Sequence, residues 1–444
     1  MPPTSNNWTD PPADLVESLL STKATESHRL GCQVSILNRS WQGIVQQYRV
    51  HRPYLLIRIS KLARGRSLLD GLFRVVARDY QNLRELQLHA PADIIQLSSM
   101  DALGTACSLL NRLSISAELG FGVLAHVARH CSTLRALHVK FDDNATTSTS
   151  RDALEAVVAL ATACPLLEEV YLSMANAMIN HVIGRLVLLL PKLRSLNLRG
   201  CNISDDMWRG GFPVGLQTLI LNETHFGNTG VRELRLPSLS RLDLSFTNAS
   251  VSGLLEAELP SLTDLSLMSS SAGASEQELC ALAARFVHLE SLSLSADEAA
   301  GSIEFGVAAA TALASHCLQL RVLYVDLCCS LWDEQMLHRL APLSLVDAAF
   351  AVCASDALLD ALVETQPLLE ELRLRLCDFG PGGSIITADG IMRLVNGCNA
   401  LKCLECNRSF DEFPLDLWPH EQDSTWAVVA ERLRSRGGLL HVDR

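Results

Sequence analysis

The sequence predicts an α/β solenoid, a parallel sheet built from one recurring strand motif in which each strand returns through a helical or turn segment. Three observations point there. The pattern L-x-x-L-x-L, with conservative aliphatic replacements, recurs along most of the 444-residue chain. Between its copies lie runs such as Val123, Leu124, Val127, Ala128 and Leu154, Val157, Val158, Ala161, spaced so that apolar groups share one helical face. Apolar residues make up 48% of the chain and aromatics only 5%, so the core has to be aliphatic, as in stacked repeats.

Taken in order, residues 1–7 read as a disordered tail, and residues 8–48 as a small helical segment. Its first helix opens through Pro12 and Asp14 and places Leu15 and Leu19 four residues apart. Its second puts Val34, Leu37, Trp41 and Ile44 on one stripe. Two short amphipathic helices cannot bury their own apolar faces, so they need a partner or the end of the solenoid. Residues 49–82 form a basic connector and N-terminal cap; from Arg49 to Arg84 nine basic side chains stand against Asp70 and Asp79. This stretch is either solvated surface or a means of steering an acidic partner. The whole chain carries a net charge of −12, which argues against nucleic acid, whose phosphates are held by clustered Lys and Arg.

The repeats occupy residues 83–407, with motif copies opening at Leu83, Leu110, Leu134, Leu167, Leu193, Leu216, Leu239, Leu262, Leu289, Leu320, Leu369 and Leu401, and a degenerate copy at Leu345, Ala348 and Phe350. In each, the last two aliphatics alternate with outward residues, as in a half-buried strand. At about 4.8 Å per strand, about 13 repeats give an inner arc on the order of 60 Å, the size of a protein surface. Target contacts are therefore expected from outward strand residues on the concave sheet: His138, Lys140, Tyr171, Arg199, Asp243, Tyr324, Asp326, Arg373 and Arg375. Tyr324 and Asp326 alternate with Leu323 and Val325, and Arg373 and Arg375 with Leu372 and Leu374. Two arginines in one hollow suit an acidic or phosphorylated target. Long spacings at 142–152, 296–306 and 378–390 predict rim loops, and the aromatic residues 408–444 a C-terminal cap.

Nine of the 14 cysteines fall in two slots of the repeat. Cys107, Cys131, Cys164, Cys317 and Cys398 lie three residues before an opening Leu; Cys201, Cys328, Cys353 and Cys377 lie eight residues after one. They read as small, reduced core residues. Cys403 and Cys406 fall on opposite faces of one strand, so neither a metal nor a cofactor is expected there or elsewhere.

The stretches A-T-A-C-P-L-L-E-E-V (161–170) and L-R-S-L-N-L-R-G-C (193–201) resemble the cysteine-containing class of leucine-rich repeats, of the ribonuclease-inhibitor-like superfamily. That resemblance implies a horseshoe-shaped solenoid, and in eukaryotes such repeats commonly follow an F-box. The N-terminal segment resembles one through Pro12, Asp14 and Leu15, then Leu37, Asn38, Arg39 and Trp41. It departs from the pattern at Pro11, where the family has Leu, and in the longer polar middle, Thr22 to Arg29. The resemblance implies that Pro12, Leu15, Leu19, Val34, Leu37, Trp41 and Ile44 dock on a Skp-type adaptor of a cullin complex. The chain would then be the substrate-recognition subunit of an SCF-type ubiquitin ligase, binding a protein substrate for ubiquitin-dependent degradation. The alternative is a leucine-rich-repeat scaffold or regulator with no ligase link, whose N-terminus only caps the solenoid.

No Ser-His-Asp arrangement, P-loop or dinucleotide glycine motif can be placed, and no cysteine is followed two residues later by Asp, as in bacterial leucine-rich-repeat ligases. A non-catalytic adaptor is expected. The first residues lack the charged start and apolar run of a signal peptide, and no aliphatic stretch is long enough to span a bilayer. The expected location is cytoplasmic or nuclear, away from membranes.

Overall fold

A computed structural model of the chain describes residues 54–58, 82–89, 109–116, 121–141, 150–174, 179–206, 211–270, 273–296, 303–326, 334–353, 355–377, 387–408 and 424–442. The helical segment expected over 8–48, and most of each expected rim loop, lie outside the described residues. The described residues fall into two compact units, one over 54–202 with 211–213 and one over 203–206 with 214–442.

The first unit has strands β1 (Tyr54–Arg58), β2 (Glu85–His89), β3 (Arg112–Ser116), β4 (Ala136–Lys140), β5 (Glu169–Ser173) and β6 (Ser195–Asn197), each parallel to the next. Helices α1 (Gly122–His130), α2 (Ser150–Ala163) and α3 (Asn180–Leu189) return the chain. The second unit repeats the plan with β7 (Thr218–Ile220), β8 (Arg241–Asp243), β9 (Asp264–Ser270), β10 (Ser291–Ala296), β11 (Val322–Asp326), β12 (Asp347–Cys353), β13 (Glu371–Cys377), β14 (Cys403–Arg408) and β15 (Leu439–Val442). Its helices are α4 (Asn228–Arg232), α5 (Val251–Leu254), α6 (Glu276–Arg285), α7 (Val307–His316), α8 (Glu334–Leu340), α9 (Asp356–Thr365), α10 (Ala388–Gly397) and α11 (Ser424–Ser435). Both units are leucine-rich-repeat solenoids.

All thirteen motif copies open a strand, and their three aliphatics form the core. Leu262, Leu265 and Leu267 are buried, as are Leu289, Leu292 and Leu294 in the next repeat. Each such side chain contributes roughly 1.5–3 kcal/mol through its removal from water. In the degenerate copy a buried Phe350 follows a buried Ala348, a large residue beside a small one, which offsets part of the volume that the alanine gives up.

Strands β1 and β15 extend the array beyond the motif. Leu55 pairs in register with Leu86, and Leu440 with Leu404, so inward and outward positions continue unbroken. Three residues before Leu55 stands Arg52, and three before Leu440 stands Gly437, in place of the opening Leu. Strand alternation survives there while the signature does not.

The cysteine slot has a physical purpose. The carbonyls at a helix end lack an intrahelical partner, and the thiol of the next repeat supplies a donor beside the turn's own N–H. Cys164 Sγ donates to Cys131 O at 3.3 Å, Cys317 Sγ to Ala283 O and Phe286 O at 3.6 Å, and Cys398 Sγ to Gln366 O at 3.7 Å. Gln366 takes the same slot before Leu369: its Nε2 donates to Leu340 O at 2.9 Å and its Oε1 accepts from the Leu345 N–H at 3.1 Å. Burial pushes the thiols of Cys164, Cys317 and Cys398 up to about 11. Cys201, in the second slot, donates to Leu172 O at 3.0 Å.

A second device recurs on the helix side of the second unit. An acid or amide at the start of one helix accepts from the backbone opening the next: Asn228 Oδ1 from Ser250 N–H at 2.8 Å, Glu276 Oε1 from Ala308 N–H at 2.8 Å, and Asp356 Oδ1 from Thr387 N–H at 2.7 Å. These bonds satisfy orphan donors at helix N-termini and lock neighbouring repeats together.

Candidate protein-binding surface

Opposite the helices, each sheet presents its outward side chains in rows set by register. In the first unit one row runs Gln87, Ser114, His138, Tyr171. The His138 and Tyr171 rings lie 5.3 Å apart at 50°. In the neighbouring row Arg112 grips Glu169 with Nη2 at 3.1 Å from Oε1 and 3.0 Å from Oε2, and His138 Nε2 is 3.7 Å from Glu169 Oε2. Burial and the Arg112 charge hold the His138 imidazole below its ordinary range against the opposing pull of Glu169, so it is neutral at pH 7. Lys140 is exposed at the end of β4, and Arg199 lies just past β6, exposed.

In the second unit the corresponding row runs Asp243, Ser266, Ser293, Tyr324, Ala349, Arg373, Glu405. Asp243 Oδ1 accepts from the Ser245 N–H at 3.0 Å, so part of its capacity shapes the turn after β8. Tyr324 and Arg373 reach over the small Ala349 and meet: Arg373 Nη1 donates to Tyr324 Oη at 2.7 Å, with the guanidinium carbon 5.1 Å from the ring centre. The Tyr324 hydroxyl donates to Asp347 Oδ2. Arg373 also faces Asp347 Oδ1 at 3.4 Å, Glu371 Oε2 at 3.0 Å and Glu405 Oε2 at 3.3 Å. Burial and the bond to Asp347 push the Tyr324 phenol up to about 12.

The structure thus brings Tyr324 and Arg373 together, as the alternation within each strand suggested, but changes the charge of the place. One guanidinium is shared by three carboxylates, so Arg373 is not an open socket for an acidic or phosphorylated target. Asp347, Glu371 and Glu405 were legible as outward strand residues; their convergence on Arg373 depends on register between strands. Asp326 and Arg375 hold outward positions one row further on, Asp326 beside Ser295 and Arg375 between Ala351 and Asn407. Their side chains, and the adaptor-facing residues Pro12, Leu15, Leu19, Val34, Leu37, Trp41 and Ile44, lie outside the described residues.

In four successive copies the turn after the strand enters the left-handed backbone region, three times with a side chain: Met174 (φ 59°), Glu223 (φ 60°) and Phe246 (φ 56°). Each stands seven residues after an opening Leu, and the copy between the first two has Gly200 (φ 65°), which adopts this conformation without a Cβ clash. The other three cost about 1–2 kcal/mol each. Phe246 is 56% exposed.

Among the described residues no helix is long and apolar enough to cross a membrane, and no group of three or more His, Cys, Asp or Glu is placed to hold a metal ion.

A scan against protein-family models finds no match, and a search of curated proteins finds none either. Solved structures give similarities. A chain of the yeast Rad7 and Elc1 complex matches with a TM-score of 0.46 and 15% identity, over 84% of this chain and 91% of that one. Listeria monocytogenes InlP matches with a TM-score of 0.32 and 15% identity, over 57% of this chain and 65% of that one.

Proposed function

We propose that this chain is a non-catalytic substrate-recognition subunit of an SCF-type cullin ubiquitin ligase, acting in the cytoplasm or nucleus. In this reading the face formed by Pro12, Leu15, Leu19, Val34, Leu37, Trp41 and Ile44 docks on a Skp-type adaptor, and the outward sheet faces hold a protein target. The observation that carries the target-binding half is the row of aromatic and charged residues, Tyr324, Arg373 and their carboxylate partners, on a sheet whose other face is closed by its own leucines. The adaptor half is supported by the pattern of residues 12–41 ahead of the repeats.

The test is co-purification of the full chain with a recombinant Skp-type adaptor. Trp41→Ala should abolish it, since loss of a buried aromatic anchor costs roughly 2–4 kcal/mol of binding. Equal binding by the variant, or none by the wild type, would leave a solenoid scaffold without a ligase link.

A further inference from the structure

The outward face of the second unit is unevenly charged. Among its described side chains, Asp243, Asp264, Asp347, Glu371 and Glu405 stand against Arg241 and Arg373. The same face of the first unit carries no acidic excess, with Glu85 and Glu169 against Arg112, Lys140 and Arg199 and a neutral His138. The acidic excess therefore belongs to one unit and is more than a reflection of the chain's overall charge.

The excess is concentrated. Around Arg373 three carboxylates lie within 3.4 Å of one guanidinium, so that Asp347 and Glu371 by themselves already outnumber it, with Asp347 largely shielded from water. At the other end Asp264 faces Arg241 at 3.6 Å; its carboxyl is nevertheless held above the usual range, by burial first, with Asp243 adding to the shift against the pull of Arg241. Between these ends the face is low. Ser293 and Ser295 are buried, and Ser245 and Ser266 bond to each other at 2.8 Å rather than projecting. Ala349 adds no bulk beside Tyr324. A peptide backbone can lie close to such a floor, with its side chains reaching acidic ground at both ends.

We propose that the second unit's sheet face binds an extended basic segment of a partner protein, and that a Lys or Arg side chain of this segment seats beside Tyr324 among Asp347, Glu371 and Glu405. The incoming cation supplies the charge that Arg373 alone does not, and Tyr324 offers a rigid aromatic face held in place by Asp347 and Arg373. A phosphate or carboxylate would face three carboxylates gathered around the one guanidinium. The proposal deepens the target-binding half of the function above and is independent of the adaptor: it is tested on the purified full chain alone, so failure of adaptor docking leaves it standing.

The experiment measures binding of three labelled dodecapeptides by fluorescence anisotropy near physiological salt: one alternates Ser with Lys and Arg, one alternates Ser with Glu, and one carries phosphoserine. The basic peptide should bind, and the other two should not. Asp347→Asn combined with Glu371→Gln should weaken binding about tenfold, with fold integrity checked by circular dichroism. Arg373→Gln should strengthen it about two- to fivefold, because it removes the internal competitor; a merely structural role for Arg373 would not do this. Glu334→Gln with Glu364→Gln removes the same charge from the helix side and should change nothing. The proposal is overturned if the acidic or phosphorylated peptide binds and Arg373→Gln abolishes it, or if the helix-side pair weakens basic binding as much as the sheet-side pair.

Discussion

Replacing Gln366 by leucine keeps most of the side chain's bulk but removes both of its hydrogen-bonding ends. Gln366 is buried to 1% exposure; its amide joins the carbonyl of Leu340, at the end of α8, to the N–H of Leu345, which opens the next strand segment. In the variant the Leu345 N–H stays buried without its acceptor, while Leu340 O loses one donor but keeps the Leu343 N–H at 2.9 Å. Two neutral bonds at about 1 kcal/mol each, with the added cost of stranding one buried donor, give a destabilisation of roughly 2–3 kcal/mol. Gln366→Cys should recover part of this, since a thiol can donate to Leu340 O as Cys317 does to Phe286 O, but it cannot serve the Leu345 N–H. The assay is urea unfolding, comparing midpoints at unchanged slope, with the exposed Gln335→Leu as a control expected within about 0.5 kcal/mol of wild type. If Gln366→Leu also falls within that margin, the slot does not carry the inter-repeat bonding assigned to it.

Three further outcomes are expected. Burial raises the Asp356 carboxyl, but the Thr387 hydroxyl and N–H and the Arg393 guanidinium outweigh it and hold the group below the usual carboxylate range. Its stabilisation is therefore present at neutral pH and lost as pH falls through the depressed folded value. The stability gap between wild type and Asp356→Asn should narrow below about pH 4, and a gap constant down to pH 3 would contradict the assignment. Gly390→Ala would drive a methyl group into Asp356 Oδ1 and should cost about 1–3 kcal/mol. Gly215→Ala, with open space around it, should be near neutral, and the Gly390 cost should shrink in an Asp356→Ala background as measured by a double-mutant cycle. In the folded protein, alkylation at neutral pH followed by mass spectrometry should spare Cys164, Cys317, Cys398 and Cys406, whose thiols are raised to about 11 or 12 by burial, and, among the described cysteines, first modify the partly exposed Cys280 and Cys403. Stoichiometric labelling of Cys164 before unfolding would refute the core role.

The repeat was legible because it is local. An opening Leu and two alternating aliphatics commit six residues to a strand with one buried face, and each of the thirteen copies forms one. The cysteine slots were legible for the same reason, since their distance from the opening Leu is constant. Gln366 escaped because it fills a cysteine slot with a different donor, and β1 and β15 escaped because Arg52 and Gly437 replace the opening Leu while the alternation continues.

What only the tertiary structure decided is who stands beside whom across strands. Tyr324 and Arg373 are 49 residues apart, and their bond exists because the register places both beside Ala349, which is too small to separate them. The same register gathers Asp347, Glu371 and Glu405 around Arg373 and turns an apparent arginine socket into a cluster of acids. Period-two alternation tells which face a side chain takes. The sideways neighbours depend on how many residues the intervening loops and helices consume, and thus on packing that no single strand encodes.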